Sequence, residues 1–171
     1  FKNQKVSSVL DYGTGKMRNA VYLSGEGFRI YAVDLPEQLE KLKGSPSLAS
    51  VERLLSTDDL AHSGLAVDLV LSTYVFNIIS TPQGRADYLS NAVSALRQGG
   101  YLLMEVRCRR LGDACEENCP NRLVDGSCPK ALSHEELDHF LEPYGLRRVS
   151  HYYRNHSIAA VYRKQAGTGF H

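Results

Sequence analysis

The sequence lacks an excess of charge of either sign. Its 20 Lys and Arg residues are balanced by 19 Asp and Glu residues. A chain so close to neutral has no overall field that would hold it on a phosphate backbone or an anionic membrane. Any contact with nucleic acid is therefore expected to be local.

Long hydrophobic runs are also missing. No apolar stretch approaches the roughly 20 residues that a membrane-spanning helix needs, and residues 1–5 do not form the apolar segment of a signal peptide. We therefore expect no membrane partner and a cytoplasmic location. The chain begins without Met and almost directly on an apolar run, which is compatible with a trimmed fragment that lacks an N-terminal lid segment.

Internal repeats and low-complexity stretches are absent, and 171 residues suit one domain with one core. Short apolar runs alternate with segments of helical periodicity, a pattern typical of parallel strands joined by helical crossovers. The sequence therefore predicts a single α/β domain over residues 1–171. The expected parallel strands are 6–11, 28–34, 53–56, 67–71 and 101–107.

Helix signals lie between these strands. The first helix should start near Met17 and stop at Gly25 or Gly27, and a longer one should run from Pro82 to residues 99–100. A capping-box pattern predicts a last helix over 133–144. After it, the segments 146–153 and 158–163 have the pattern of two strands joined by a hairpin, so an antiparallel pair should close the sheet.

A glycine loop is the most informative motif of the chain. Gly13 and Gly15 follow the first expected strand and precede a helix, and Asp34 ends the second strand. Glycines allow a tight turn and close approach of a ligand, while a carboxylate at the next strand end can accept two ribose hydroxyls. The arrangement predicts a site for a nucleotide-like ligand.

Asp11 selects among such ligands. A carboxylate just before the first glycine would repel a pyrophosphate and attract the ammonium group of an amino acid. The dinucleotide pattern also requires a glycine where this chain has Arg18. A zwitterionic nucleoside is favoured, and a nicotinamide-dependent oxidoreductase is the weaker alternative.

The segments 9–15 and 68–77, together with Asp34, resemble the motifs of class I S-adenosylmethionine-dependent methyltransferases. The resemblance implies a Rossmann-like three-layer sandwich, with a mostly parallel seven-stranded sheet and an antiparallel C-terminal hairpin. It also implies S-adenosylmethionine as cofactor and S-adenosylhomocysteine as product. One departure is Met17, which stands where the family has a third glycine.

The resemblance implies a cofactor role for ten residues. Asp11, Gly13 and Gly15 would line the methionine and ribose, Asp34 would hold the ribose hydroxyls, and Leu35 would touch the adenine. Asp58 or Asp59 would lie near the adenine amine, and Ser72, Thr73 and Tyr74 beside the methionine.

A narrower resemblance rests on residues 74–79 and 100–107, which are similar to bacterial and phage-type methyltransferases with a Val-Leu-Asn-Val-Ile-like run after the fourth strand. The run differs from the Asn/Asp-Pro-Pro-Tyr loop of many amino-directed DNA methyltransferases. Methylation of a base nitrogen is accordingly less favoured.

Methyl transfer from a sulfonium can depend mainly on holding the acceptor in line, so a catalytic signature need not be visible. Tyr74 and Asn77 are the candidates for contact with the acceptor, because they follow the fourth strand at its carboxyl end. A purely structural role is an equal alternative to contact with the acceptor: Tyr74 would then pack in the core, and Asn77 would cap a turn. The acceptor, whether small molecule, nucleic acid or protein, stays open, as does an inactive binding or interaction domain of the same fold.

All four cysteines, Cys108, Cys115, Cys119 and Cys128, fall in the irregular insert 108–130. Four thiolates could bind zinc, but the Cys-x-x-Cys pairs of common zinc modules are missing. Free thiols are favoured over zinc and over disulfides. The insert follows the fifth strand, so it is expected to overhang the acceptor side as a lid or specificity element.

Overall fold

The computed structural model describes residues 4–107, 132–154 and 156–167. Its centre is a seven-stranded sheet with the order β3-β2-β1-β4-β5-β7-β6. The strands are β1 (Ser8–Tyr12), β2 (Arg29–Asp34), β3 (Arg53–Ser56), β4 (Val67–Thr73), β5 (Leu96–Arg107), β6 (Leu146–Arg154) and β7 (Ser157–Lys164). The first five strands in this order, β3, β2, β1, β4 and β5, are parallel to one another, whereas β7 is antiparallel to both β5 and β6. The mostly parallel sheet and its reversed hairpin confirm the predicted fold class.

Helices lie on both faces of this sheet. They are α1 (Arg18–Gly25), α2 (Pro36–Leu42), α3 (Thr57–Leu60), α4 (Pro82–Ala95) and α5 (His134–Leu141), with short 3-10 turns at Pro46–Ser50, Phe76–Ile78 and Glu142–Tyr144. The capping box predicted at Ser133 and Glu136 is present at the start of α5. Gly145, at a φ of +76°, follows the last helical turn, as the sequence predicts.

Two apolar clusters form the core, one on each face of the sheet. Alternation along β1 sends Leu10 into one cluster and Val9 into the other. The first cluster includes side chains of α4 and α5, and the second includes side chains of α1 and α2. This division gives the expected three layers.

The fourth helix is shorter than predicted. It ends at Ala95 rather than at residues 99–100, and β5 begins at Leu96. Leu96 pairs with Val67 of β4, and the register then shifts before Leu69 pairs with Tyr101. Pairing with β4 therefore takes residues 96–100 out of the helix that their apolar spacing predicted.

The C-terminal strand also closes the end of α4. The Lys164 ammonium donates hydrogen bonds to the carbonyls of Val93 at 2.7 Å and Leu96 at 2.8 Å. Both carbonyls lie at the helix end, where the usual i+4 amide donors are missing, and the Val93 carbonyl also accepts from the Leu96 amide. β7 and α4 are thus joined by polar contacts as well as by the core.

The order in which strands are added to the sheet changes side at β1. β2 lies on one side of β1 and β4 on the other, and open α/β sheets bind ligands at the carboxyl ends of the strands at such a point. In the described ranges no helix is long and apolar enough to cross a membrane.

Candidate functional site

The loop after β1 is fixed to the end of β2. The backbone amides of Gly13 and Thr14 donate to the carbonyl of Val33 at 2.8 and 3.0 Å. Gly13 has a φ of +94°, and a Cβ atom on it would lie 2.5 Å from Cγ2 of Val75. The loop needs a glycine here both for its backbone conformation and for the space that Val75 takes.

Gly15 is held in a different way. Its φ is +54°, and a Cβ atom at this position would meet no other atom within 4 Å. Its amide donates to Oδ2 of Asp34 at 2.7 Å, and its carbonyl accepts from Nε2 of Gln38 at 2.9 Å. The space beside Gly15 is open, so a ligand can approach the backbone closely.

Asp34, at the end of β2, is fixed on both oxygens. Oδ2 accepts from Gly15 and Oδ1 accepts from the amide of Leu35 at 2.8 Å. A carboxylate oxygen can accept more than one hydrogen bond, so each still has capacity for a hydroxyl donor. The carboxylate is oriented before any ligand binds.

Asp11 is the buried charge of the site. The residue is 2% exposed, and its Oδ2 accepts from the Thr14 hydroxyl at 2.8 Å. Burial raises the pKa of Asp11 to about 6, the nearby charge of Asp34 acts in the same direction, and the Thr14 hydrogen bond opposes them. The site therefore favours a positively charged group that would pair with this carboxylate.

Met17 stands where the class I methyltransferases that the sequence resembles have a third glycine, and the surroundings of its side chain accommodate the replacement. Its backbone has the left-handed conformation, with a φ of +64°, immediately before α1. Glycine adopts that conformation at no steric cost. Here the Met17 side chain is fully buried in the second cluster, and this burial of apolar surface opposes the backbone cost.

The residues expected around an adenine lie on the neighbouring strand ends. Leu35 is 57% exposed and directly follows Asp34. Asp58 and Asp59 are exposed in α3, and Ser56, which pairs with Asp34 in the sheet, accepts a hydrogen bond from the Asp59 amide at 3.1 Å. The fold brings these three side chains to the same edge as Asp34.

Ser72 and Thr73 end β4 with different surroundings. Ser72 is fully buried, and its hydroxyl lies 2.7 Å from that of Tyr88 in α4, which also donates to the Tyr12 carbonyl at 2.9 Å. Thr73 accepts from Nδ2 of Asn19 in α1 at 3.4 Å. Ser72 thus joins the end of β4 to Tyr88 of α4. Its contact with the cofactor stays a prediction.

The two acceptor candidates follow in the next turn. Tyr74 is 41% exposed and has a φ of +57°, which is unusual for a residue other than glycine. Asn77 is 4% exposed, and its Oδ1 has no hydrogen-bond partner in the part of the chain that the structure describes. Tyr74 is therefore available to a ligand, whereas Asn77 is a buried polar group with unused hydrogen-bonding capacity.

Two further residues, which the sequence did not predict as part of the site, contact Tyr74. The Tyr74 hydroxyl donates to Oε1 of Glu105 at 3.1 Å and lies 2.8 Å from the Ser157 hydroxyl. Glu105 is in β5 and Ser157 begins β7. The available signal for this contact was a carboxylate directly after the apolar run 101–104 of β5.

The cysteine insert and its four candidate metal ligands lie outside the described residues. Within the described ranges no group of three or more His, Cys, Asp or Glu side chains could hold a metal ion. The zinc, disulfide and lid hypotheses for this insert stay predictions.

Comparison with known proteins agrees with the geometry. Residues 1–166 match the model of a family described as a methyltransferase domain. No curated protein is similar enough to the chain to count as a relative. Similar folds occur among solved structures with low sequence identity.

One such structure is the 1,6-didemethyltoxoflavin N1-methyltransferase of Burkholderia thailandensis, with 1,6-didemethyltoxoflavin and S-adenosylhomocysteine bound. It is 22% identical, with a TM-score of 0.71, over 94% of this chain and 72% of that one. A TehB-like S-adenosylmethionine-dependent methyltransferase of Corynebacterium glutamicum is 20% identical, with a TM-score of 0.66, over 93% and 80%. The S-adenosylmethionine-dependent methyltransferase SibL is 19% identical, with a TM-score of 0.73, over 96% of this chain and 52% of its own. The chain thus spans about half the length of SibL.

The fold and the carboxyl-edge site agree with the family match, which covers nearly all of the sequence. The narrower resemblance to bacterial and phage-type enzymes stays a prediction. The match shows that the chain belongs to the methyltransferase domain family, as a class I S-adenosylmethionine-dependent methyltransferase.

Proposed function

We propose that this enzyme transfers a methyl group from S-adenosylmethionine to a small-molecule acceptor in the cytoplasm. The buried carboxylate of Asp11 carries the proposal, because the Thr14 hydroxyl is its one hydrogen-bond partner among the described residues. A cationic amino group is the ligand that such a carboxylate would stabilise most. S-adenosylmethionine has an ammonium group, whereas a pyrophosphate would bring more negative charge to the same place.

The remaining cofactor residues are proposed from their positions along the edge. Asp34 would accept the ribose hydroxyls, and the open space at Gly15 admits close approach of the ligand. Leu35 and one of the Asp58 and Asp59 carboxylates would contact the adenine. Gly13, Ser72, Thr73 and Tyr74 would complete the methionine end.

The donor set fits a zwitterionic nucleoside, with one carboxylate for the ammonium and one for the ribose. When bound, S-adenosylmethionine supplies an electrophilic methyl group on sulfur. The chain's contribution is then to hold both partners in line and to exclude water. Exposed Tyr74 and buried Asn77 lie beside the carboxyl end of β4, which is where we propose that the acceptor binds.

A small molecule is favoured as acceptor for two reasons. The near-balance of 20 basic and 19 acidic residues gives no general attraction for nucleic acid. Two similar solved structures have small compounds bound, namely 1,6-didemethyltoxoflavin in one and apigenin in the other.

Calorimetric titration tests the cofactor site. We expect S-adenosylhomocysteine to bind the wild-type protein and NAD not to bind. Asp11→Asn and Asp34→Ala should each weaken S-adenosylhomocysteine binding by roughly tenfold or more, the loss of one charge-assisted contact. Asp87→Asn is the matched control, because Asp87 is exposed in α4 and accepts from Gln83 of the same helix. Binding of NAD alone would refute the proposal.

Turnover is tested separately with methyl-labelled S-adenosylmethionine and fractionated cell extract. Label should enter the small-molecule fraction with the wild-type protein and not with Asp34→Ala. Transfer to the nucleic-acid or protein fraction instead would refute a small-molecule acceptor. Absence of transfer to every fraction, with S-adenosylhomocysteine binding intact, would favour an inactive binding domain.

A further inference from the structure

Three oxygen-bearing side chains from three strand ends meet beside the proposed acceptor position. Tyr74 follows β4, Glu105 lies near the end of β5, and Ser157 starts β7. The Tyr74 hydroxyl links the other two, donating to Oε1 of Glu105 at 3.1 Å and lying 2.8 Å from Oγ of Ser157. We call these three residues the Tyr74 cluster.

Glu105 is a charged residue on a face of β5 where the preceding side chains are apolar. Tyr101 and Leu103, the preceding residues on the same face of β5, pack against the second apolar cluster. Glu105 continues that face between β4 and β7, where it pairs with Thr73 and Ala159. No cationic side chain of the described ranges forms an ion pair with it. Glu105 is thus a carboxylate that follows two apolar side chains on the same face of the strand.

Tyr74 is fixed to Glu105 through its backbone as well as through its hydroxyl. Its backbone is in the left-handed region with a φ of +57°, and its amide donates to the Glu105 carbonyl at 2.7 Å. For a bulky side chain that conformation is sterically unfavourable. The cluster is therefore fixed against a local preference, as is common at ligand-binding positions.

The cluster is also close to the cofactor loop along the chain. Val75, the next residue, contacts the position of Gly13, and Thr73, the preceding one, contacts Asn19 of α1. Tyr74 is 41% exposed, so the cluster can be reached from solvent. Its Glu105 Oε2 makes no hydrogen bond to a described residue, which leaves one carboxylate oxygen for a ligand.

We propose that the Tyr74 cluster binds a protonated amine of the acceptor, with Glu105 as the charge partner. This inference rests on the proposed function and specifies its acceptor as an amine-bearing small molecule. Glu105 supplies the negative charge, Tyr74 orients that carboxylate and offers a ring face to the cation, and Ser157 fixes the Tyr74 hydroxyl. The role assigned to Glu105 is recognition, and the methylated atom is a separate question.

The test uses three matched probes, benzylamine, benzyl alcohol and benzoate, titrated into the full chain saturated with S-adenosylhomocysteine. We expect benzylamine to bind roughly tenfold or more tightly than the other two, because it alone forms a charge-assisted pair with Glu105. Glu105→Gln should remove that preference and leave S-adenosylhomocysteine affinity within about twofold. The amide keeps an oxygen that can accept from Tyr74, so the substitution removes charge with little change of shape.

Glu52→Gln is the control, because Glu52 is exposed beside β3 and the same charge is lost there. Tyr74→Phe is a second variant, which should weaken benzylamine binding less than Glu105→Gln does. Equal affinity of the wild-type protein for all three probes, or an amine preference that survives in Glu105→Gln, would overturn the inference. Failure of the wild-type protein to bind S-adenosylhomocysteine would instead overturn the proposed function, so the two failures are distinguishable.

Discussion

Val75 occupies the space that a side chain on Gly13 would need. A Cβ atom at Gly13 would lie 2.5 Å from Cγ2 of Val75, well inside van der Waals contact. The loop after β1 and the loop after β4 are therefore in direct contact beneath the proposed ligand position. A glycine usually attributed to cofactor approach is required here by the packing of the protein itself.

Gly13→Ala should consequently destabilise the protein before any ligand is considered. The φ of +94° and the contact with Val75 both oppose an alanine, and together they should lower the free energy of unfolding by about 3 kcal/mol. Urea denaturation without ligand measures this. In the Gly13→Ala, Val75→Ala double variant about half of the loss should return, because the closest contact is removed while the backbone strain stays. No recovery would contradict the packing explanation.

Gly15→Ala should behave differently. No protein atom lies within 4 Å of the added Cβ, so the free energy of unfolding should fall by only about 1 kcal/mol, the cost of a left-handed alanine. The added methyl should instead interfere with the ligand and weaken S-adenosylhomocysteine binding by roughly tenfold or more. Unchanged affinity in calorimetric titration would show that the ligand does not approach Gly15.

Cofactor binding should depend on the protonation of Asp11. Burial raises the pKa of its carboxyl group to about 6, so the ionised form that attracts an ammonium group is lost as the pH falls through 6. We expect S-adenosylhomocysteine affinity to drop between pH 7.5 and pH 5 in the wild-type protein. The residual binding of Asp11→Asn should stay nearly constant over that range. Equal wild-type affinity at both pH values would contradict this prediction.

The same group should affect stability with the opposite sign. Because the pKa of Asp11 is higher in the folded than in the unfolded protein, the folded state binds the proton more tightly, and stability is lost as the pH rises from about 4 to about 6. The rise in pKa corresponds to about 3 kcal/mol. Asp11→Asn should therefore unfold at a higher urea concentration than the wild type at pH 7.5, and by a smaller margin at pH 5. A less stable variant at pH 7.5 would contradict this.

Lys164→Met should weaken the end of α4. The substitution keeps an apolar stem but removes the hydrogen bonds to the carbonyls of Val93 and Leu96. The expected loss is about 2 kcal/mol in the free energy of unfolding. Lys43→Met is the matched control, since the Lys43 side chain is 72% exposed and, among the described residues, forms an ion pair with Glu40, three residues before it. Equal effects of the two substitutions would rule out a capping role for Lys164.

The cysteine insert is expected to contain free thiols rather than a structural zinc site, because it lacks paired Cys-x-x-Cys ligands. Elemental analysis of the purified protein should find less than about one zinc per four chains, well below the full occupancy of a structural site. All four cysteines should react with a thiol reagent after denaturation. Stoichiometric zinc that is lost in a Cys119→Ser variant would refute this expectation.

Local patterns in the sequence predicted much of the fold. The apolar alternation of the strands, the Ser133 and Glu136 capping box and the turn between β6 and β7 each depend on residues close together in the chain. The same holds for the glycine loop, since Gly13 and Gly15 lie between a strand and a helix. Such features need no knowledge of register.

The contacts that join distant segments were beyond sequence reasoning. Tyr74 and Ser157 are 83 residues apart and meet only because β5 pairs with both β4 and β7. The early end of α4 has the same origin, because Leu96 has helical spacing in the sequence but pairs with Val67 in the sheet. Strand register is set by the packing of the whole sheet, and the sequence of one segment does not encode it.

The reversed hairpin determines which part of the chain lies beside the proposed acceptor site. The antiparallel pairing of β7 with β5 places Ser157 at the carboxyl edge of the sheet, beside Tyr74 and Glu105. The principal residues proposed for the nucleoside, from Asp11 to Asp59, precede the switch to β4, and the Tyr74 cluster follows it. The earlier portion of the polypeptide thus provides most of the proposed cofactor contacts and the later portion the proposed acceptor contacts, with Ser72, Thr73 and Tyr74 beside the methionine between them. Exchange of the later portion between relatives could change the acceptor while the earlier portion continued to bind the same methyl donor.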